Sequence, residues 1–549
     1  VYPAGSVVAI LRVKAMTLKV VGGGLISAIV LGLYAVSGTW IPATRPPRPS
    51  PSAQHRTTAL SWTDLSGRPS RDAREALSLL TTADQEGLDP ADYDAASVEA
   101  LLSALDTCDE PLAPDIAAFD AALTGNLSRY FHDLRFGRVD PRAVGFRVTR
   151  PPGDLDFTSI LAAALAAHRI GAAAAELAPP FRLYRDLRRE LARYRSIAAD
   201  RSLRSLPPVE GAVHHGERYA GVPDLRRLLV AFGDLTQDVP VPAAGDVYDA
   251  AIVDGVRYFQ VRHGLRPDGV LGPLTRTALN VPLAWRVRQI ELALERLRWL
   301  PDLTTERLVA VNIPMFRVWA WDSIQLDAAP SMTTGVIVGR ALNTRTPVLD
   351  EEMRYIIFRP YWNIPTSILR HEILPALSRD PAYFERHDME IVSGQGDDAR
   401  PVVLTERSLA GLRAGTLRVR QRPGPQNSLG LVKFVFPNDA DVYLHGTPAQ
   451  QLFSEFRRDF SHGCVRVEDP VALAEWALKG RPEWTRERIV AAMHARESLR
   501  VDLERPINVI LFYLTAVVMP ADGTVRFAED IYHHDAVLDR ALKRARPVQ

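Results

Sequence analysis

The sequence predicts a multidomain α+β protein. An N-terminal apolar helix precedes an all-α scaffold with a small three-helix domain inserted in it, and a mostly-β domain with a lid insertion follows. Three observations predict this. At 549 residues the chain exceeds what one ordinary core organises. Apolar residues recur at i, i+3 and i+4 spacing from about residue 61 to 301. From about 307 the pattern changes to alternating runs rich in β-branched and aromatic residues.

The first element is nineteen uncharged residues, Val20 to Gly38, preceded by Arg12, Lys14 and Lys19. That is about one bilayer span with a positive-inside flank. "AVSG" at 35–38 also suits a cleavage site. Residues 1–39 are therefore read as a signal peptide or a membrane anchor, and 40–60, rich in proline, as an extended tether. The first methionine is Met16, and a start there would leave a short Lys19-bearing leader. Both readings put the body outside the cytoplasm, held to or released from the inner membrane.

Residues 61–215, with 283–305, read as the helical scaffold. "REALSLLTTADQEGLDPADY" and "AALTGNLSRYFHDLRFGRVDP" carry the helical spacing and end at Gly or Pro stops. Between the two scaffold segments, 216–282 read as a separate unit of short helices joined by Asp268-Gly269 and Gly272-Pro273 turns. "VPLAWRVRQIELALERLRWLP" then returns to the scaffold, with Ile290, Leu292, Leu294, Leu297 and Trp299 facing the core. Residues 306–484 read as the β-rich domain, and about 366–416, too long for a plain connection, as a lid. Residues 485–549 read as a C-terminal extension with a hairpin turning at Ala521-Asp522-Gly523.

Charge narrows the function. Lys+Arg (66) nearly balances Asp+Glu (65), so a net +1 gives no drive toward nucleic acid. No zinc-like Cys/His spacing and no phosphate-cradling Gly loop is present. Two cysteines make no disulfide framework, and Cys108 lies in a helix-end context that does not suit pairing with Cys464.

Cys464 stands in "DFSHGCVRVEDP", with His462 two residues before it and His445 at the end of the strand "DVYLHGT". A lone Cys is usually inert packing. Together, in an exported and nearly Cys-free chain, the thiol and imidazole suit nucleophile and base. The tight turn Ser461-His462-Gly463 can aim backbone N–H groups at one spot, as an oxyanion site needs. Asp469-Pro470 opens a helix behind the thiol that ends at Gly480.

Two resemblances follow from these residues. Val256, Phe259, Gln260, Gly264, Leu265, Asp268, Gly269, Gly272, Thr275, Ala278 and Leu279 form a pattern that resembles the three-helix peptidoglycan-binding domain. His445-Gly446-Thr447, then Ser461-His462-Gly463-Cys464-Val465-Arg466, with fifteen residues between His445 and Ser461, resemble the L,D-transpeptidase signature of the YkuD-type catalytic domain. Many members carry Asn where Arg466 stands. The whole arrangement resembles the large Gram-negative murein L,D-transpeptidases of the YcbB type, and so implies a periplasmic enzyme acting on peptidoglycan stem peptides and glycan strands.

The resemblance implies that Cys464 attacks the bond between the L-centre of meso-diaminopimelate and the terminal D-Ala of a stem. D-Ala leaves, a thioester forms, and an amine of a second stem resolves it as a 3→3 cross-link. Cys464 is then the nucleophile and His445 the base, with the N–H groups of Gly463 and Cys464 as oxyanion donors. Such acyl transfer by thiolate and imidazole requires no metal and no organic cofactor. His462 shapes the turn or shares proton transfer, and Ser461 orients His445 or the turn. Arg466 pairs with a substrate carboxylate or makes a surface salt bridge. Gly446, Thr447, Tyr361, Trp362 and Asn363 are candidate substrate contacts, the two aromatics being somewhat better suited to core packing. Carbapenem acylation of Cys464 is implied too. L,D-carboxypeptidase action, linkage of a lipoprotein to murein, and non-catalytic wall anchoring are the alternatives.

Overall fold

The computed structural model describes residues 60–149, 155–238, 245–301, 307–323, 329–340, 344–394 and 399–545. The predicted signal or anchor segment and all but the last residue of the tether lie outside the described residues. Among the described residues no helix is long and apolar enough to cross a membrane.

Six helices come first: α1 (Arg71–Thr81), α2 (Ala95–Thr107), α3 (Ala113–Phe136), α4 (Phe157–Ala166), α5 (Ile170–Leu177) and α6 (Arg182–Ala199). The Ser70 hydroxyl caps α1 by accepting the Ala73 N–H, and Asp156 caps α4 in the same way. Helices α1 to α5 enclose a core that includes Trp62, Leu80, Phe119, Phe131 and Leu161.

The next three helices are α7 (Val222–Phe232), α8 (Ala250–Arg262) and α9 (Pro273–Leu279), followed by α10 (Leu283–Arg298). Gln260 is 1% exposed. Its amide bonds Asp268, the Val270 carbonyl and Thr275 at 2.9 to 3.1 Å, and its oxygen accepts the Gly269 N–H at 2.8 Å. The polar residues of the "FQ…DG…T" pattern thus bond to one another and hold the turn between α8 and α9. Gly269 sits at φ +72°, where an added Cβ would lie 2.7 Å from Val253. Helix α10 buries Ile290, Leu292, Leu294 and Leu297, and Trp299 just past its end is buried too, as its spacing predicts.

Among the described residues fifteen strands follow. The main ones are read with β1 (Leu308–Asn312), β2 (Arg317–Trp321), β3 (Met332–Gly339) and β4 (Leu349–Phe358) first. The inserted stretch holds β5 (Trp362–Asn363), β6 (Met389–Ser393), β7 (Arg400–Val402) and β8 (Arg418–Gln421). Then come β9 (Val432–Val435), β10 (Leu444–His445), β11 (Asp459–Ser461), β12 (Val465–Val467), β13 (Leu499–Phe512), β14 (Ala516–Val518) and β15 (Val525–Phe527). Nine of them form one sheet in the order β11-β3-β12-β10-β9-β4-β13-β1-β2, and β2 also pairs with β3, so the sheet closes on itself. One face of these strands, with Val311, Val336, Ile356, Phe434, Leu444, Val465 and Val509, fills the core together with Leu473 and Trp476 of the helix Pro470–Ala477.

Two findings change the sequence reading of this region. The stretch read as a lid, 366–416, belongs with its flanks to a small unit: β5 before it, β6 and β7 within it and β8 after it make a four-stranded sheet over a core of its own, with Ile368, Phe384, Ile391, Leu412 and Val419. And 485–549 is no appendage. Its long strand β13 lies inside the main sheet, parallel to β1 and antiparallel to β4, while β14 and β15 form the predicted hairpin and pack with α6 and α10. The physical reason is that an edge left between β4 and β1 would expose unpaired backbone, which β13 satisfies.

Candidate active site

Strand β10 lies between β9 and β12. Its register pairs His445 with Lys433 on one side and with Arg466 on the other. Residues in register share a face, so the three side chains form a row across three strands. Their neighbours Phe434, Leu444 and Val465 turn into the core. Period-two alternation puts Tyr443 and Cys464 beside that row. The Tyr443 carbonyl accepts the Val465 N–H at 3.1 Å, its ring lies 5.7 Å from the His445 ring, and Lys433 Nζ sits 3.6 Å from the Tyr443 ring centroid.

Cys464 enters this face from a turn that is bonded at nearly every polar atom. The buried Ser461 hydroxyl accepts the Gly463 N–H at 3.1 Å and donates to the Cys464 carbonyl at 2.5 Å. The Thr346 hydroxyl accepts the Gly339 N–H at 2.8 Å and donates to the Gly463 carbonyl at 2.7 Å. The Arg340 N–H and the Thr344 hydroxyl both reach the Ser461 carbonyl, at 3.0 and 3.1 Å. Gly463 takes φ +116°, a backbone state that a side chain disfavours. The same intolerance holds under the His-Gly-Thr turn. Gly430 has φ +63°, and a Cβ there would meet the Thr447 nitrogen at 2.5 Å and the Gly446 carbonyl carbon at 2.6 Å.

The electrostatics oppose a resting ion pair. Burial pushes the Cys464 thiol up; Tyr443 and then Lys433 pull it partly back. Burial, then the Arg466 and Lys433 charges, hold His445 down at about 3. The imidazole is 4% exposed, and its Nδ1 lies 2.5 Å from the Gly446 carbonyl. With Nδ1–H donating there, Nε2 carries the free lone pair. Among the described residues the thiol has no hydrogen bond with His445; it donates to the Asp441 carbonyl at 3.7 Å.

The fold brings Cys464, His445, Ser461, Gly463 and Arg466 together. Arg466 is half-buried, makes no ion pair among the described residues, and leaves its Nε buried without a partner. The Gly463 N–H, one of the two predicted oxyanion donors, donates to the Ser461 hydroxyl at 3.1 Å. His462 points outward and bonds Glu372 of the inserted stretch at 2.7 Å. Gly446 donates its N–H to the Val432 carbonyl, and Thr447 is buried, its hydroxyl accepting the Ala449 N–H. Tyr361 is exposed with the Arg420 guanidinium 4.0 Å over its ring, Asn363 is exposed, and Trp362 packs against the core of the insert. Neither of two clefts of about 640 and 630 Å³ is lined by Cys464 or His445.

Sequence reasoning missed Lys433, Asp441 and Tyr443. Two weak signals bear on two of them, though neither carries the strand register that joins them to the site. Tyr443 precedes His445 by two on a strand, and Lys433 is a lone charge in the apolar run "GLVKFVFP".

Comparison with known proteins adds what the chain is similar to. Residues 306–485 match the family model described as L,D-transpeptidase catalytic domain, 218–279 the one described as "Putative peptidoglycan binding domain", and 54–191 a Scaffold domain. A protein of Haemophilus influenzae named "Putative L,D-transpeptidase" is 30% identical over 254 residues, which are 46% of this chain and 49% of that protein. The chain thus aligns with about half the length of the curated relative it matches. The catalytic-domain match ends before β13, although that strand completes the sheet. From the thiol turn outward, the chain carries a YkuD-family L,D-transpeptidase catalytic domain, joined to a peptidoglycan-binding domain.

Proposed function

We propose that this protein is a peptidoglycan L,D-transpeptidase of the periplasm that forms 3→3 cross-links through a Cys464 thioester. The observation that carries the reading is the shared face of Cys464, Tyr443, His445, Lys433 and Arg466, fixed by strand register. Cys464 Sγ attacks the carbonyl carbon of the donor stem's L-centre, and its proton passes to His445 Nε2. The neutral imidazole is the form able to accept it. Contact between thiol and imidazole tightens on substrate binding, as such bonds often do. The developing oxyanion takes the Cys464 N–H. Collapse breaks the amide bond; D-Ala leaves as the amine, taking the proton from His445. The amine of a second stem then attacks the thioester, gives its proton to His445, and releases the thiolate to regain it.

The insert 366–416 acts as the lid in this reading, tied to the thiol turn by the His462–Glu372 pair. Tyr361 and Asn363 line the approach, and Arg466 receives a substrate carboxylate. A carbapenem acylates Cys464 by the same attack.

The test is mass spectrometry of muropeptides after incubation of the chain with disaccharide tetrapeptides. The expected products are a 3→3 dimer and free D-Ala, both absent with Cys464→Ala. Tripeptide and D-Ala without dimer would make water the acceptor and the enzyme a carboxypeptidase. Full activity in Cys464→Ala would remove the thiol from the mechanism.

A further inference from the structure

A cleft of about 630 Å³ lies where four parts of the chain meet. Its walls are the α8–α9 turn of the peptidoglycan-binding motif, helix α10, the β1–β2 turn, and the β14–β15 hairpin, with Phe456 to Arg458 closing one side. Arg458 is immediately followed by β11, which leads to Ser461 and the thiol turn.

The lining is strongly cationic: Arg262, Arg286, Arg317, Arg457, Arg458 and Arg526 face two carboxylates, Glu529 and Asp530. Both carboxylates are already engaged, Glu529 by Arg457 and Asp530 by the Tyr513 hydroxyl. Arg286, Arg317 and Arg458 make no ion pair among the described residues. Arg458 gives its donors to backbone carbonyls, and Arg286 to Gln289 and the Ala278 carbonyl. Arg317 has only a long 3.4 Å bond to Thr333. Arg526 pairs with Asp522 but leaves its Nε buried and without a partner. Burial and repulsion from Arg526 lower Arg317, and burial lowers Arg286 to about 10. Arg262 pairs with Asp234, Arg457 with Asp459 and Glu529, and Arg526 with Asp522, which leaves Arg286, Arg317 and Arg458 as three guanidiniums at one cleft with no carboxylate partner among the described residues, a local excess of positive charge that suits an anion.

We propose that this cleft is a second stem-peptide site, in which Arg317 and Arg526 hold a carboxylate of a wall peptide other than the one at Cys464. The inference rests on the transpeptidase reading for the identity of the peptide. Carboxylates are the chemistry that selects it: stem peptides carry several, whereas the amino-sugar backbone is neutral once its lactyl groups are in amide linkage. Guanidinium forks match carboxylates through paired donors. Exposed Leu274, Val261 and Phe456 at the same cleft offer apolar contact to alanine methyl groups. The volume is within the range of small-ligand sites. A peptide held here would lie between the binding motif and the strand that carries the thiol turn.

The test is calorimetric titration of the full chain, with Cys464→Ala to stop turnover, by the tetrapeptide L-Ala-D-Glu-meso-diaminopimelate-D-Ala. Two peptides per chain are expected. Arg317→Gln with Arg526→Gln should leave one, the second site weakening by about tenfold or more. The paired Lys variants should retain it, and matching thermal midpoints check the fold. The same peptide with its carboxyls amidated should not fill the cleft, so the Gln pair should bind it no differently from the parent chain. One peptide per chain at the outset, or two in the Gln pair, overturns the proposal. So does anionic phosphatidylglycerol vesicle binding that is lost in the Gln pair while the peptide count is unchanged. If the wild-type chain makes no 3→3 dimer, the transpeptidase reading falls, and the peptide count still decides the cleft.

Discussion

At Cys464 two influences oppose each other. Burial favours the thiol, while Lys433 and Tyr443 favour the thiolate, and burial prevails. His445, held at about 3, cannot supply a compensating positive charge at neutral pH. Alkylation of the resting enzyme by iodoacetamide should therefore keep accelerating above pH 8.5, with no inflection near 6.5. A plateau reached by pH 7 would mean a thiolate–imidazolium pair instead. Lys433→Met removes one of the charges that lower the thiol, and alkylation at pH 8 should slow by about three- to tenfold. An unchanged or faster rate would deny Lys433 that influence. Cys464 and His445 were legible in the sequence because rare residue types stood in an unusual pattern. Lys433 and Tyr443 were not, because their partnership is made by register between strands, and no single run of sequence carries register.

Among elements, the clearest contrast is between the motif of the small helical domain and the stretch 366–416. The first was legible because Gln260, Asp268, Gly269 and Thr275 bond within a span of sixteen residues. The second hid a sheet because β5 and β8 are separated by more than fifty residues of chain, with only short strands between. Strand β13 was hidden differently. Its pairing with β4 shifts register between Asp502 and Ile507, where Glu504, Arg505 and Pro506 interrupt the alternation. The insert's separate core predicts separate stability. Ile391 is 2% exposed in that core, so Ile391→Ala should cost about 2–4 kcal/mol locally. Amide exchange should lose protection across 366–416 while β9 and β10 keep theirs. Equal loss in both regions would show that insert and main sheet unfold as one unit.

For the whole molecule, the joints between helical scaffold and sheet are built from buried polar groups, and these make stability depend on pH. Arg296 of α10 pairs with the fully buried Asp535, which also accepts the Thr515 hydroxyl at 2.6 Å. Beside them His534 lies edge-on to Phe146, Tyr513 and Tyr532, at ring distances of 4.8 to 5.9 Å. Burial and the charges of Arg296 and Arg345 hold this imidazole at about 3. In the unfolded chain a histidine titrates at about 6.5. Between those values the unfolded state binds a proton that the folded state refuses, so stability is full above pH 6.5 and declines as pH falls. The loss is about 1.4 kcal/mol per pH unit for each such imidazole, or about 2 kcal/mol at pH 5. His445 contributes with the same sign. Asp530, raised mainly by burial, acts oppositely, but its window opens only near the ordinary carboxylate range. His534→Phe keeps an aromatic ring in the cluster and removes one of these protons without touching the thiol turn. The thermal midpoint of the wild-type chain should fall between pH 7 and pH 5, and that of His534→Phe should fall less over the same interval. Parallel curves for the two proteins would mean that His534 is protonated in the folded state, and that the joint tolerates a charge its surroundings argue against.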